Sequence, residues 1–377
     1  MTPGWSSIGP ARRYDGLPMP VEFGLDFFPD MRPSEKSGQQ YFAETLRIAR
    51  ECEDLGSSRI KIVEHYFHPY GGYSPNPIVF LSAAAAITKR QRLMTGAVLP
   101  VFNHPLKLAG ELAMLDCISD GRVDVGVARA FLPHEFAAFG VSMDDSRGRF
   151  EEGIEALKLL WTQDGVSFHG KYHSFEDVTS LPRPVQQPHP PIWIAAIATP
   201  ASFQWAGEQG YSMMVVPYIG DYDELAEHLQ LYRSSFAASG KPGRPRVMMV
   251  LHCVIDADTR AAHARAWAGM QHYLAVFKEI ASWWAGRDEA QYKKYEMLPA
   301  LIDAMTWEKV DRENRAIVGD PEEALDKVQY IVDKFGDCEM SFQVHFGGIS
   351  PDDAIQSIRL FAEKVNPRVR MPAGLAA

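Results

Sequence analysis

The chain is poor in cysteine. Cys52, Cys117, Cys253 and Cys338 are the only four in 377 residues. They are far apart and form no CxxC pair, so no disulfide framework organises the fold. Cys52 and Cys117 fall in helical patterns and read as small buried hydrophobes of a reducing compartment. Long apolar runs are missing too. No segment approaches the ~18 continuous apolar residues of a membrane span. Met1–Pro20 is rich in Gly, Pro and Ser and has no apolar core of a signal peptide, so it reads as a flexible extension on a cytoplasmic protein. Basic excess is absent: the formal charge is −10. That excludes a broad nucleic-acid footprint, which needs a basic face. No HExxH, GxSxG or GxGxxG occurs, which removes local support for zinc-protease, serine-hydrolase and dinucleotide-binding readings. The first strand carries Leu25-Asp26-Phe27, where a metal-dependent barrel hydrolase would carry an HxH pair. His65, His68, His104, His252 and His345 fall near strand ends without metal-ligand spacing, and no metal is expected.

What the chain has is a series of buried strands that end in functional side chains. Arg59 to Phe67 reads Arg-Ile-Lys-Ile-Val-Glu-His-Tyr-Phe, a strand running into acid, base and aromatic groups. Val125-Gly126-Val127-Ala128 runs into Arg129, and Ile192 to Ala198 runs into Thr199-Pro200. Chemistry at the carboxyl ends of successive buried strands is the mark of a parallel α/β enzyme. The strands expected are 21–28, 60–63, 92–99, 121–128, 191–198, 212–217, 247–255 and 340–346. Helical stripes alternate with them, as at Phe42, Leu46 and Ala49, or Phe150, Ile154, Leu157 and Trp161. Eight strand–helix units fit a (β/α)8 TIM barrel, with a doubly wound sheet as the runner-up. Such barrels need about 250 residues. The excess falls in a hairpin at 165–178 and in a long insertion between strands seven and eight, about 258–318. Residues 21–377 read as a single domain.

Three helix starts share a cap, a proline and a polar first turn: Thr199-Pro200-Ala201-Ser202, Asp320-Pro321-Glu322-Glu323 and Ser350-Pro351-Asp352-Asp353. Proline suits the first helical position and the cap satisfies free amides. The last two are acidic and would repel a phosphate. The Thr199 start carries hydroxyls and no carboxylate until Glu208, which suits an anion. Arg129 ends the preceding barrel strand, so Arg129, Thr199 and Ser202 form a candidate phosphate grip. The competing reading makes Arg129 a structural ion-pair partner. His65, beside Glu64, is placed to act as acid or base, or else to be a hydrogen-bonded core histidine.

These pieces, in this order, resemble the luciferase-like monooxygenases, the flavin-dependent barrel family that includes bacterial luciferase. The resemblance runs from Val21 to Phe361. It is carried by Val21-Glu22-Phe23-Gly24, Glu64-His65-Tyr66-Phe67, Ser74-Pro75-Asn76-Pro77, Thr95-Gly96-Ala97-Val98-Leu99-Pro100 and His104-Pro105. It continues through Ser119-Asp120-Gly121-Arg122, Gly126-Val127-Ala128-Arg129, Asp145-Ser146-Arg147, Ala198-Thr199-Pro200-Ala201-Ser202 and Gly319-Asp320-Pro321-Glu322-Glu323. It implies reduced FMN (FMNH2) as cofactor, or in some branches a deazaflavin (F420). It implies a ring site at Thr95, Gly96 and Ala97, often with a non-proline cis peptide. It puts the cofactor phosphate at Arg129, Thr199 and Ser202, with Ala198 beside them. His65 matches the catalytic histidine and His104 a second active-site histidine.

The mechanism the resemblance implies uses O2 as co-substrate. O2 adds at the flavin C4a, and the hydroperoxide oxygenates a small organic substrate while His65 moves a proton. A separate flavin reductase would supply FMNH2, because this chain has no NAD-binding turn, and a homodimer is expected. Luciferase has a reactive cysteine where this chain has Ala128, and an acid where it has Ala198. Both departures argue against light emission. Phe131, Leu132, Phe136, Trp283, Trp284 and Met297 suggest an apolar or aromatic substrate, and the Trp283–Trp284 segment reads either as a lid or as packing. An F420-dependent oxidoreductase and a non-catalytic flavin-binding protein are the competing readings. The substrate and the type of oxygenation are not written in the sequence.

Overall fold

The computed structural model describes residues 13–14, 17–18, 20–197, 199–218, 220–287, 289–292 and 295–371. A closed barrel of eight parallel strands forms its centre. In chain order these are β1 (Phe23–Phe27), β2 (Arg59–Ile62), β3 (Arg92–Thr95), β4 (Val123–Val127), β5 (Ile192–Ala196), β6 (Ser212–Val215), β7 (Val247–Ile255) and β8 (Glu339–Gln343). Each pairs with its successor, and β8 pairs back onto β1 through Phe342 and Leu25. Strands buried on both faces must be apolar nearly throughout, and β7 is buried at every position. Helices return each strand to the next. Their starts follow the expected caps: Asn76, Asp320 and Ser350 accept hydrogen bonds from first-turn amides.

The barrel interior is layered by charge. At the amino ends of the strands Arg59, 2% exposed, donates to Asp124 at 2.9 Å and to Glu339 at 2.5 Å. Arg92 reaches the same Asp124 at 2.6 Å, and Arg246 reaches Glu339 at 2.6 Å. Burial alone would raise the Asp124 pKa, but Arg92 and Arg59 outweigh it and hold the carboxyl well below its usual range. The guanidinium groups of Arg59 and Arg246 lie 5.1 and 4.7 Å from the ring centre of Trp193. Met94, Ala97, Met214 and Met248 pack with that indole as an inner cluster. The lower end is therefore plugged among the described residues. Gly126 on β4 is required here, because a Cβ would fall 2.0 Å from the Thr95 carbonyl oxygen.

Several expectations are refined. The third strand stops at Thr95, and the Gly96–Ala97 peptide is cis. Val98 then bridges Val127 of β4. The hairpin is present as Val166–His169 against Ser174–Val178. The insertion opens with a helix, Thr259–Ala281, and ends in a strand the sequence did not announce, Ile317–Gly319, which extends the sheet beside the end of β7. A second unannounced element is the helix Pro133–Phe139 after β4. The expected N-terminal extension lies mostly outside the described residues; Arg13–Tyr14 and Leu17–Pro18 form a short antiparallel ribbon. No helix among the described residues is long and apolar enough to cross a membrane.

Replacing one partner of a buried ion pair strands the others. Arg59→Met should lower unfolding stability by about 3–5 kcal/mol in urea denaturation, since it leaves Asp124 and Glu339 short of a cation. A loss below about 1 kcal/mol would show that the plug adds no stability beyond its packing.

Candidate active site

A cavity of about 180 Å³ opens at the carboxyl ends of the strands. His65, Gly96, Ala97, Arg129, Thr199 and Ser202 all line it. The expected grip and the expected histidine therefore face one space. Ala198 lies outside the described residues.

Arg129 enters from the end of β4. Its Nη2 donates to the Gln291 carbonyl at 2.9 Å, and its guanidinium sits 4.5 Å from the ring centre of Tyr292. It pairs with no carboxylate among the described residues, so the ion-pair reading of this arginine finds no support there. Thr199 caps the helix Pro200–Gln209, yet its side chain makes no capping hydrogen bond. Pro200 has no N–H and the Ser202 amide donates to the Thr199 carbonyl at 2.9 Å, so the hydroxyl and the Ala201 amide are what the helix start offers to an anion. Arg147 lines the cavity too, tethered to Glu151 at 2.9 Å. It appears in the sequence motif Asp145-Ser146-Arg147, but its spacing gave no sign of a second cation beside Arg129.

His65 is 8% exposed. Its Nδ1 lies 3.0 Å from Glu135 Oε1, and the same oxygen accepts from the Tyr66 amide at 2.9 Å. Glu135 is fully buried. A carboxylate on Nδ1 fixes the ring and its tautomer, leaving Nε2 without a hydrogen-bond partner among the described residues. The ring is walled by Phe28, Tyr70 and Phe131, at centroid distances of 5.7, 5.5 and 5.9 Å. Sequence reasoning missed Glu135 because the helix that carries it is a seven-residue excursion in a loop.

Three expectations are corrected. His104 is exposed, does not line the cavity, and caps the helix Pro105–Ile118 by accepting from the Leu106 amide. Thr95 is fully buried and turned away from the cavity, donating to the Gly126 carbonyl at 2.8 Å. It ties β3 to β4 and does not touch the space that Gly96 and Ala97 border. Of the expected apolar wall only Phe131 is present. Leu132, Phe136 and Trp284 are core residues, whereas Trp283 and Met297 are about half exposed. Trp284 packs on Tyr292 and Tyr295, so the packing reading of the tryptophan pair holds for it. The actual wall comes from Phe28, Val63, Leu99, Phe277 and Leu298.

Among the described residues His263, Asp311 and Glu323 are the one group spaced to hold a metal ion. The Lys327 ammonium already occupies it, 2.6 Å from Asp311 and 3.4 Å from Glu323.

Glu64 borders the cavity and is 3% exposed. Burial pushes its pKa up to about 7, against hydrogen bonds from Tyr66 Oη at 2.5 Å, Asn103 at 2.8 Å and the Leu99 amide at 3.2 Å. A carboxyl raised in the fold binds its proton more tightly there than in the unfolded chain. Its contribution is neutral below the unfolded value of about 4.3 and turns destabilising as pH rises toward 7. Glu64→Gln should therefore gain stability relative to the parent by about 2 kcal/mol on going from pH 5 to pH 8 in paired urea titrations. A pH-independent difference would mean that Glu64 is already ionised at pH 5.

The family model described as luciferase-like monooxygenase matches residues 21–338. The oxygenase component of the flavin-dependent trigonelline monooxygenase of Acinetobacter baylyi is 29% identical over 336 residues, covering 87% of this chain and 90% of that protein. A crystal structure of a monooxygenase from Streptomyces bottropensis has a TM-score of 0.83 at 42% identity, covering 92% of this chain and 99% of that one. The oxygenating constituent of 3,6-diketocamphane monooxygenase from Pseudomonas putida, solved with FMN, has a TM-score of 0.77 and covers 93% and 99%. At 21% identity that likeness bears on the fold alone. The barrel, the cavity at its carboxyl ends and the match over most of the chain agree: this protein is an oxidoreductase that belongs to the luciferase-like, flavin-dependent monooxygenase family.

Proposed function

We propose that the protein is the oxygenase of a two-component system. It would take reduced FMN from a separate flavin reductase and use O2 to oxygenate a small apolar or aromatic molecule. The observation that carries this reading is the meeting, in one cavity, of an anion grip and a histidine held by a buried carboxylate.

The residues fit the cofactor on chemical grounds. Arg129, Arg147, the Thr199 hydroxyl, Ser202 and the start of the helix Pro200–Gln209 supply the donors a phosphate needs, with no carboxylate in that first turn. At Gly96 a side chain would collide with Lys61, since a Cβ would fall 2.2 Å from Lys61 Cγ, so the glycine makes room for the lysine stem. Gly96 and Ala97 line the cavity, where their backbone and small side chain offer a surface for a flat ring. When bound, reduced flavin supplies the electrons that activate O2. The chain's own part is to orient and to exclude water. Phe28, Val63, Leu99 and Phe277 line the space with apolar surface that suits a substrate of the same character. Nε2 of His65, with Nδ1 held by Glu135, is placed to accept a proton and return it.

A homodimer is part of the proposal. Helices Pro77–Ile87 and Pro105–Ile118 pack side by side, and their outer faces expose Val79, Ile87, Met114 and Ile118. Exposed apolar residues on neighbouring helices suit burial against a second copy. Light scattering should give twice the chain mass, and Val79→Glu with Met114→Glu should return a monomer.

Two substitutions test the site. Arg129→Ala should weaken FMN binding by about 2 kcal/mol in calorimetry, as loss of a charged hydrogen bond does; an unchanged affinity would move the phosphate elsewhere. His65→Ala should leave FMN affinity within roughly two-fold but lower product yield at least ~ten-fold. Titration with F420 in place of FMN separates the deazaflavin reading: tight F420 binding without FMN binding, and hydride transfer without O2 uptake, would replace the monooxygenase proposal.

A further inference from the structure

The cavity has a second polar pole besides the anion grip. Gln343, Asp26 and Lys61 stand side by side on β8, β1 and β2, in register: Gln343 pairs with Asp26, and Asp26 with Lys61. All three line the cavity floor, and they are 1%, 2% and 3% exposed. Lys61 Nζ lies 2.6 Å from Asp26 Oδ1. The Gln343 amide nitrogen has no hydrogen-bond partner among the described residues. The opposite side of the floor is apolar, formed by Ala128, Ala195, Met214, Val216 and Val250.

A buried ammonium, a buried carboxylate and an unpaired amide on one arc make a costly arrangement for structure alone. The ion plug at the lower end already closes the barrel, so these groups are not needed for closure. The unpaired amide is the informative member. A buried donor left open costs about 1–3 kcal/mol, and an acceptor supplied by a ligand removes that cost. The Lys61 stem also fills the place a side chain at Gly96 would take, which holds its ammonium beside the Gly96–Ala97 peptide on the cavity wall.

We propose that Lys61, positioned by Asp26, and Gln343 form a recognition edge for the ring of the reduced cofactor, and that Lys61 selects the reduced over the oxidised form. The inference rests on the flavin reading above. Reduced FMN carries negative charge on its ring at neutral pH, and oxidised FMN does not. A low-dielectric ammonium near that charge favours the reduced form, and Gln343 can donate to a ring carbonyl in either state. Asp26 restrains the effect while it is ionised. Burial raises the pKa of its carboxyl, with Lys61 opposing, so Asp26 can give up its charge when another anion arrives. Lys61 and Asp26 are thus positioning and tuning residues, and no bond to them forms or breaks.

The test measures the dissociation constants of oxidised and anaerobically reduced FMN, together with the midpoint potential of the bound flavin. Lys61→Met should weaken reduced FMN roughly ten-fold or more, leave oxidised FMN within roughly three-fold, and make the potential more negative. Asp26→Asn should move the ratio the other way, because Lys61 then stands uncompensated. The Lys61→Met/Asp26→Asn double variant leaves no charge at the pair and repeats the Lys61 result if the single variant does not fold. Gln343→Leu should weaken both forms alike. Equal affinities for the two forms in every Lys61 variant would overturn the inference while leaving FMN binding in place. A parent protein that binds neither form would instead remove the flavin reading, and this inference with it.

Discussion

A guanidinium buried in a barrel must find carboxylates, and that demand on Arg59 organises the molecule. Removing such a charge from water costs several kcal/mol even after relaxation, which only close, well-directed partners offset. Asp124 and Glu339 lie at hydrogen-bond distance from it, and Arg92 and Arg246 take up their remaining capacity. Trp193 lies beneath two of the guanidinium groups, so charge and ring close the space together. All these residues sit at or before the first turn of pairing in their strands. The lower end is filled among the described residues, and the cavity lies at the carboxyl ends.

The two ends differ in how completely their polar groups are met. At the lower end nearly every charge has an opposite charge in contact. At the upper end Arg129 rests on a carbonyl and an aromatic face, the Thr199 hydroxyl makes no capping bond, and the Gln343 amide is unpaired. Buried polar groups are normally satisfied, and the exceptions call for an explanation. Arg129, Thr199 and Gln343 line one cavity, where a ligand would complete them. The insertion between β7 and β8 takes part. Its Gln291 and Tyr292 hold Arg129, so a segment 162 residues farther along the chain sets the aim of the residue that follows β4.

The barrel was legible because its signals are local. Buried parallel strands read as short apolar runs, and their helices as stripes with capped starts, so the eight units and the hairpin followed from pattern alone. That Arg129 and Thr199 would face one cavity was legible for a related reason: they end adjacent strands, and adjacency in a barrel follows chain order. What failed depended on side-chain direction. His104 sits at a helix start, where its ring caps an amide, and nothing in Asn103-His104-Pro105 distinguishes that from a ring aimed inward. Thr95 and Gly96 are neighbours, and alternation sends one to the cavity and the other to the next strand. Trp283 and Trp284 are neighbours too, yet one is half exposed and the other fully buried. Glu135 was missed because its contact is with His65, a residue distant in sequence.

Two carboxyl groups flank His65, and their surroundings assign them different parts. Glu64 lies among neutral donors, with no cation in contact, and burial raises its pKa to about 7. Glu135 meets the imidazole itself. A proton on Nε2 would make an imidazolium in direct contact with Glu135, and Glu64 in its protonated form would neither attract nor repel it strongly. As pH rises through about 7, Glu64 ionises and adds a negative charge beside the cavity that competes for that proton. The arrangement sets a carboxyl group against Nδ1 of a ring that lines the cavity, and leaves Nε2 unpartnered among the described residues.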